Sequence, residues 1–196
     1  NIIILTYLHV AAFYGFFLPK LTSSVIIGWI FGLSSGWGTT VGAHRYFTHK
    51  SFKANQKLKV LLVILQTMAS QEPILNWSRD HRTHHKFTDT NADPYNSRRG
   101  FFFSHIGWLM CKKHSDVIEK GKKVDMSDLE SDPLLQFQKK YFLPLALLLN
   151  VVIPISIVCY FGESFNVAWN GNIFRFVLLL NITWTVRHFC YYATEF

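Results

Sequence analysis

The sequence predicts an all-α integral membrane protein, with four transmembrane helices in two hairpins and a helical cap between the second and third spans. Charge segregation is the first observation behind this. Of the 20 Lys and Arg, 17 lie between residues 44 and 140, and so do 10 of the 12 Asp and Glu. The rest of the chain carries only Lys20, Glu163, Arg175, Arg187 and Glu195. The second observation is the length of the uncharged stretches, Ile2–Leu18, Leu21–Ala43 and Tyr141–Phe161, each near the ~17–25 residues that cross a hydrocarbon core as helix. The third is composition: charged residues make up 16% of the chain, against about 25% in average soluble domains.

Taken in order, the spans are about 2–18, 21–43, 141–161 and 172–190, with the cap over 44–140 and one domain over 1–196. Pro19 and Lys20 leave room for only a tight turn between the first two spans. Between Arg175 and Arg187 the uncharged run is too short to cross, so the fourth span requires both arginines to reach the interfaces on their flexible stems. Lys57–Met68 is densely apolar but interrupted by lysines and glutamines. It reads as an amphipathic or cap-buried helix, not a crossing. Asp125–Leu129 reads as a helix start capped by Ser127 or Asp125.

Orientation follows from the basic residues at the span ends. Arg45, Lys50, Lys53, Lys57 and Lys59 follow the second span, and Lys139 and Lys140 precede the third. The opposite turns hold only Lys20, so the cap faces the cytosol by the positive-inside rule. Residue 1 already opens an apolar run without a cleavable-signal pattern, and the chain reads as starting inside a longer one. Three Cys without paired spacing support neither a disulfide framework nor a thiolate zinc site. The net charge of +8 does not indicate nucleic acid, because the bases are interleaved with acids and sit beside the spans.

The nine histidines carry the chemistry. Five fall in two clusters, His44-Arg45-Tyr46-Phe47-Thr48-His49 at the exit of the second span and His81-Arg82-Thr83-His84-His85 within the cap. On a helix, His81, His84 and His85 share a face, yet His84 and His85 diverge by about 100°. They can therefore serve two different metal ions. The i, i+5 spacing of His44 and His49 suits a helix end whose last turn unwinds. Imidazole-rich, thiolate-free ligation fits iron, copper or zinc. Five histidines exceed the four ligands of a closed structural zinc site and point to two metals. Arg79, Asp80, Asn91 and Asp93 are candidates to orient the ligands, whereas Asp89 reads as a solvated charge and His9 as a packed, hydrogen-bonded residue. His114, beside Lys112 and Lys113, reads as an interface or anion contact.

The stretches VGAHRYFTHKSFKA, NWSRDHRTHHKFTDTNADPYNSRRGFFFSHIGWL and KVDMSDL resemble the membrane-bound acyl-CoA delta-9 desaturases, the stearoyl-CoA desaturase family, from the first residues to about Trp184. The resemblance implies a four-span endoplasmic reticulum membrane enzyme with a cytosolic cap and a di-iron centre. Such an enzyme takes electrons from cytochrome b5 and uses O2 to insert a cis double bond into a saturated fatty acyl-CoA. It implies that His44, His49, His81, His84 and His85 are iron ligands and that Gln71, Trp77 and Thr183 line the bend of the acyl tunnel. By the same resemblance Arg79, Asp80, Lys112 and Lys113, together with Asn1, lie near the CoA head group. The partners so implied are acyl-CoA, O2, cytochrome b5 and membrane lipid. Arg98 and Arg99 could also serve the CoA or face anionic lipid.

The same pattern requires a third HxxHH cluster, which is absent here. It also expects an Asn and a His where this sequence has Arg187 and Tyr191. His188 is no obvious replacement. The chain therefore reads as an incomplete product, truncated or frame-shifted from about Arg187, with an inactive homologue as the alternative. Rival functions are a related hydroxylase, an acetylenase, a desaturase of other regiochemistry and a non-catalytic acyl-CoA-binding membrane protein.

Overall fold

The computed structural model describes residues 1–192, with side chains through Val186. Among these residues there is no strand. The helices are α1 (Ile2–Phe17), α2 (Thr22–Thr48), α3 (Gln56–Ala69), α4 (Ile74–Lys86), α5 (Phe101–His105), α6 (Ser115–Lys122), α7 (Ser127–Glu130), α8 (Pro133–Lys140), α9 (Phe142–Tyr160) and α10 (Phe165–Tyr192).

α2 and α9, of 27 and 19 residues, are long and apolar enough to cross a membrane. α1 has 16 residues; at 1.5 Å per residue it is roughly a turn short of a ~30 Å core. α3 and α4 together would make a third apolar span, but they meet at 84°. The corner is built by Ser70 in the left-handed region (φ 52°), Glu72 at φ 143° and Pro73 ahead of α4. Ile3, Val10, Phe13, Trp29, Ile30 and Leu143 are among many large apolar side chains facing outward, which is the surface a lipid solvent requires.

α1 runs along α10, burying Ala11 and Ala12 against Ile173 and Val177, and Leu5 against Leu180 and Trp184. α9 packs on α10 through Ile155, Val158 and Ala168. The turns α1–α2 and α9–α10 meet at one end of the molecule, where Glu163 accepts hydrogen bonds from the Leu21 amide at 2.9 Å and from Ser24 Oγ at 2.8 Å. Lys20 closes the end of α1 by donating to the Leu18 carbonyl at 2.8 Å. A separate core is formed by Phe47, Leu62, Val63, Ile74, Leu75, Met126, Leu129 and Leu135. α7 starts at Ser127 as predicted, but its N-cap is Met126 and not Ser127 or Asp125; Asp125, one residue earlier, accepts from the Ser127 amide at 2.9 Å.

Arg175 departs from its expected place. It does not reach an interface; it is buried and donates to Asn172 Oδ1 at 3.0 Å, to Asn150 and to Ser35 Oγ at 3.4 Å. The reason is Pro154 in α9. Proline has no N–H for the carbonyl four residues back, which is that of Asn150, and α9 widens into a π-turn over Leu148–Val152. The Asn150 carbonyl accepts instead from Asn172 Nδ2 at 2.8 Å and Arg175 Nη2 at 3.3 Å, the kind of repair that apolar surroundings enforce. The fourth helix also begins earlier than predicted, at Phe165. Arg187, His188 and Tyr191 lie outside the residues whose side chains are described.

Candidate metal centre and adjoining cavity

His44 and His49 come from the end of α2, which does not unwind as predicted but widens into a π-helix over Gly38–Thr48. The His49 amide donates to the His44 carbonyl at 3.0 Å. In that i→i+5 pattern residues five apart come together, and the two imidazoles lie 4.5 Å apart, centre to centre. On α4, Trp77, His81, His84 and His85 project from adjacent turns.

His44, His49, His81 and His85 form one group, with a ligand atom from each lying within 4.8 Å of the others. His81 Nε2 is 3.3 Å from His49 Nε2 and 3.1 Å from His85 Nε2. Adjacent nitrogens bound at ~2.0–2.1 Å to one first-row ion in octahedral or tetrahedral arrangement are roughly 2.8–3.4 Å apart. The donor set and these two edges fit a bound transition metal. Partial burial, followed by the positive charge of Arg82, pushes the His49 imidazole below its ordinary pKa. Burial, followed by His84 and His49, does the same at His85 against the pull of Asp93. Both therefore favour the neutral form that a metal requires.

His84 stands apart from this group, as the ~100° divergence predicted. Its Nδ1–H donates to Asp93 Oδ1 at 2.8 Å, which leaves Nε2 as the nitrogen with the lone pair. Asp93 is fully buried and is fixed in turn by the amides of Asp89 at 3.0 Å and Tyr95 at 2.9 Å. Asp89 is not simply a solvated charge, since it accepts from Ser97 Oγ and adopts φ 61°. His9 is packed as expected, with Nδ1 on the Leu5 carbonyl at 2.8 Å and Nε2 facing Asn181 at 3.3 Å. His114 caps α6 through the Asp116 amide at 3.2 Å.

A mostly apolar cavity of about 200 Å³ lies behind Trp77, lined by Gln71, Trp77, Trp108, Leu180 and Trp184 among others. Trp77 lies between it and the imidazoles, its ring 4.8 Å from that of His81. Gln71 Nε2 donates to Thr183 Oγ1 at 2.9 Å, so Gln71, Trp77 and Thr183 are brought together from α4, the corner before it and α10. The cavity shares Glu72 with a polar groove of about 520 Å³ that holds Arg79, Asp80, Lys113 and Lys122. Within it Arg79 meets Glu130 at 2.8 Å and Lys113 meets Asp80. Lys112 lines a smaller cavity with Lys113, Arg99 and His114. Asn1 lines neither; its Nδ2 donates to the Leu109 carbonyl at 2.9 Å behind the apolar wall. A second apolar cavity, about 510 Å³, lies on the other face of α10 against Gly28, Gly32 and Gly36.

Sequence reasoning missed Trp184, Glu72 and the reach of Arg82. The arginine's fork engages both oxygens of Asp128, at 2.8 and 2.9 Å. That hydrogen bonding, with Lys50 adding to it, holds the Asp128 carboxyl well below the usual carboxylate range. Its stabilising contribution is therefore complete above an unfolded pKa near 3.9 and is lost as pH falls further, through the folded value. Asp128→Asn is expected to lower stability at pH 7 and to flatten its decline below about pH 4, measured as the thermal midpoint against pH. A wild-type decline of unchanged steepness in the variant counts against this ion pair.

A profile described as Fatty acid desaturase matches residues 3–194, running past the departure expected at Arg187. The chain is 48% identical over 193 residues to an acyl-CoA delta-9 desaturase of Acheta domesticus. It is 44% identical over 191 residues to an acyl-CoA delta(11) desaturase of Trichoplusia ni, and 44% over 193 residues to the stearoyl-CoA desaturase of Homo sapiens. Each alignment takes in 95% of this chain, but the chain spans only 54%, 55% and 53% of those relatives. With convergent histidines on two helices and a family match over nearly its whole length, the chain belongs to the fatty acid desaturase family.

Proposed function

We propose that this chain forms the membrane and histidine-bearing part of an acyl-CoA delta-9 desaturase of the endoplasmic reticulum membrane. In this reading α1, α2, α9 and α10 cross the bilayer as two hairpins, and the cap over 44–140 faces the cytosol. The two turns tied by Glu163 at one end, and the basic residues at the other, support that topology. The observation that carries the functional reading is Trp77, whose ring lines a cavity and lies against His81 of the imidazole group, with cations in the groove beyond that cavity.

Arg79, Lys112 and Lys113 would hold the phosphates of a saturated fatty acyl-CoA, with Asp80 keeping Lys113 in place. The acyl chain would enter between Trp77, Trp108 and Trp184, where Gln71 and Thr183 set a bend and the apolar wall excludes water. His44, His49, His81 and His85 would hold one iron and His84, steadied by Asp93, would contribute to a second. Iron would supply the O2 and one-electron chemistry, with electrons from cytochrome b5.

The test is expression of the protein that contains this chain in a desaturase-deficient yeast. Growth without unsaturated lipid and a product with a cis double bond at delta-9 are expected; failure to rescue counts against the proposal. The delta(11) relative favours one other reading, the same chemistry at a different carbon, and mass spectrometry of the product decides it. The isolated chain is expected to take up about one divalent ion, at the four-imidazole group, in a Co²⁺ titration followed by absorption. No uptake would remove the metal assignment.

A further inference from the structure

Arg82 lies between two histidines of α4, yet its contacts lie elsewhere. Nη2 donates to the Phe47 carbonyl at 3.0 Å, within the 44–49 segment. Nη1 donates to the Asp125 carbonyl at 2.9 Å, and both terminal nitrogens engage the Asp128 carboxylate. The side chain is 16% exposed, and Met126 Sδ lies 3.8 Å from Nη1.

Each bond has a physical reason. Phe47 is in the last turn of α2, where carbonyls lack intrahelical donors and a cation is favoured. Its ring is in the same core as Met126 and Leu129, so its backbone and the 125–129 segment are already neighbours. Asp128 also meets Lys50 Nζ at 3.0 Å, just beyond His49. One guanidinium thus touches the strip that ends in His49 and the 125–128 segment, from a helix that carries His81, His84 and His85. A second and weaker tie between the same strips is the bond from Thr48 Oγ1 to Ser78 Oγ at 3.0 Å. A planar fork can serve two acceptors on one side and a carboxylate on the other; an ammonium cannot reproduce that geometry.

We propose that Arg82 is a positioning residue that locks the His44–His49 strip in register with α4, using Asp128 as its anchor. It touches no ligand atom of the cluster and acts through the backbone at Phe47. Its consequence for metal rests on the metal reading above, but the lock itself does not.

The test is hydrogen exchange by mass spectrometry on the whole chain in nanodiscs, paired with Co²⁺ titration. Arg82→Met is expected to speed exchange in both 44–52 and 124–131 by about tenfold or more, while peptides from α1 and α9 keep wild-type protection. Co²⁺ affinity should fall about 10–100-fold. Arg82→Lys, which keeps the charge, should restore neither fully, and Asp128→Asn should loosen the same two segments less than Arg82→Met does. If Arg82→Met unfolds the chain throughout, Arg82→Lys and Asp128→Asn decide. Unchanged exchange at 44–52 in the folded variants overturns the proposal. Faster exchange there with no Co²⁺ uptake even by the wild type would sustain the lock and overturn the metal reading instead.

Discussion

Replacing His81 with alanine is expected to strip the protein of metal. His81 is the centre of the four-imidazole group; its Nε2 makes both of the close edges, to His49 and to His85. It is also the buried member of the set, whereas His49 and His85 are exposed. Without it only three imidazoles remain, His44 and His49 from the end of α2 and His85 from α4, and both of those close nitrogen contacts are lost. The affinity for Co²⁺ should fall by more than about 100-fold, beyond the 10–100-fold typical of losing an orienting partner. Desaturation by the protein containing this chain should become undetectable. His9→Ala is the matched control, since His9 bonds the Leu5 carbonyl and Asn181, and its metal content should match wild type. His84→Ala should still take up one ion, because His84 is outside the group. Wild-type metal content in His81→Ala would show that these imidazoles are not the site.

Alanine at Gly38 should have the largest effect on the fold. A Cβ there would fall 2.2 Å from the Leu65 carbonyl carbon and 2.3 Å from the Gln66 nitrogen. Both are backbone atoms of α3, so no side chain can swing aside, and α3 must retreat from α2. Gly42, one turn on, has its own close approach, 3.3 Å from the Leu62 carbonyl oxygen. Retreat would break the buried bonds from Gln138 Nε2 to Gln66 Oε1 and Thr67 Oγ1, each 3.0 Å. Through the 84° corner it would also carry α4 and His81 away from His44. We expect a loss of about 3 kcal/mol, at the upper end for overpacking, or roughly 6–12 °C in thermal midpoint at this size. Gly28→Ala is the contrast, with nothing within 4 Å of its added carbon. Equal midpoints for the two variants would mean that the α2–α3 crossing is looser than described.

Much of the site was legible because it depends on spacing. Positions 81, 84 and 85 obey helical periodicity, so the divergence of His84 from His85 could be read before any packing was known, but not which of them joins the group or that His84 bonds Asp93. The apolar runs marked α2 and α9 as membrane-length helices for a similarly local reason. The i, i+5 pair at 44 and 49 was legible as an anomaly but not in its resolution, because widening and unwinding of a helix end look alike in sequence. Arg175 was misread outright. Its burial depends on an orphaned carbonyl that Pro154 creates on another helix, and no local pattern links positions 154 and 175.

The sequence by itself determined which residues can bind metal, which segments are apolar enough for lipid, and which family the chain belongs to. The first two follow from side-chain chemistry and helical period, both local properties, and the third from the resemblance of whole motifs. Tertiary structure alone decided that four of the five histidines converge, that Trp77 lies between them and a cavity lined by Gln71, and that Arg82 spans three segments. Those juxtapositions arise from helix crossings at Gly38 and from the corner at residues 70–73, where close backbone approach and unusual φ values set distances between residues far apart in the chain.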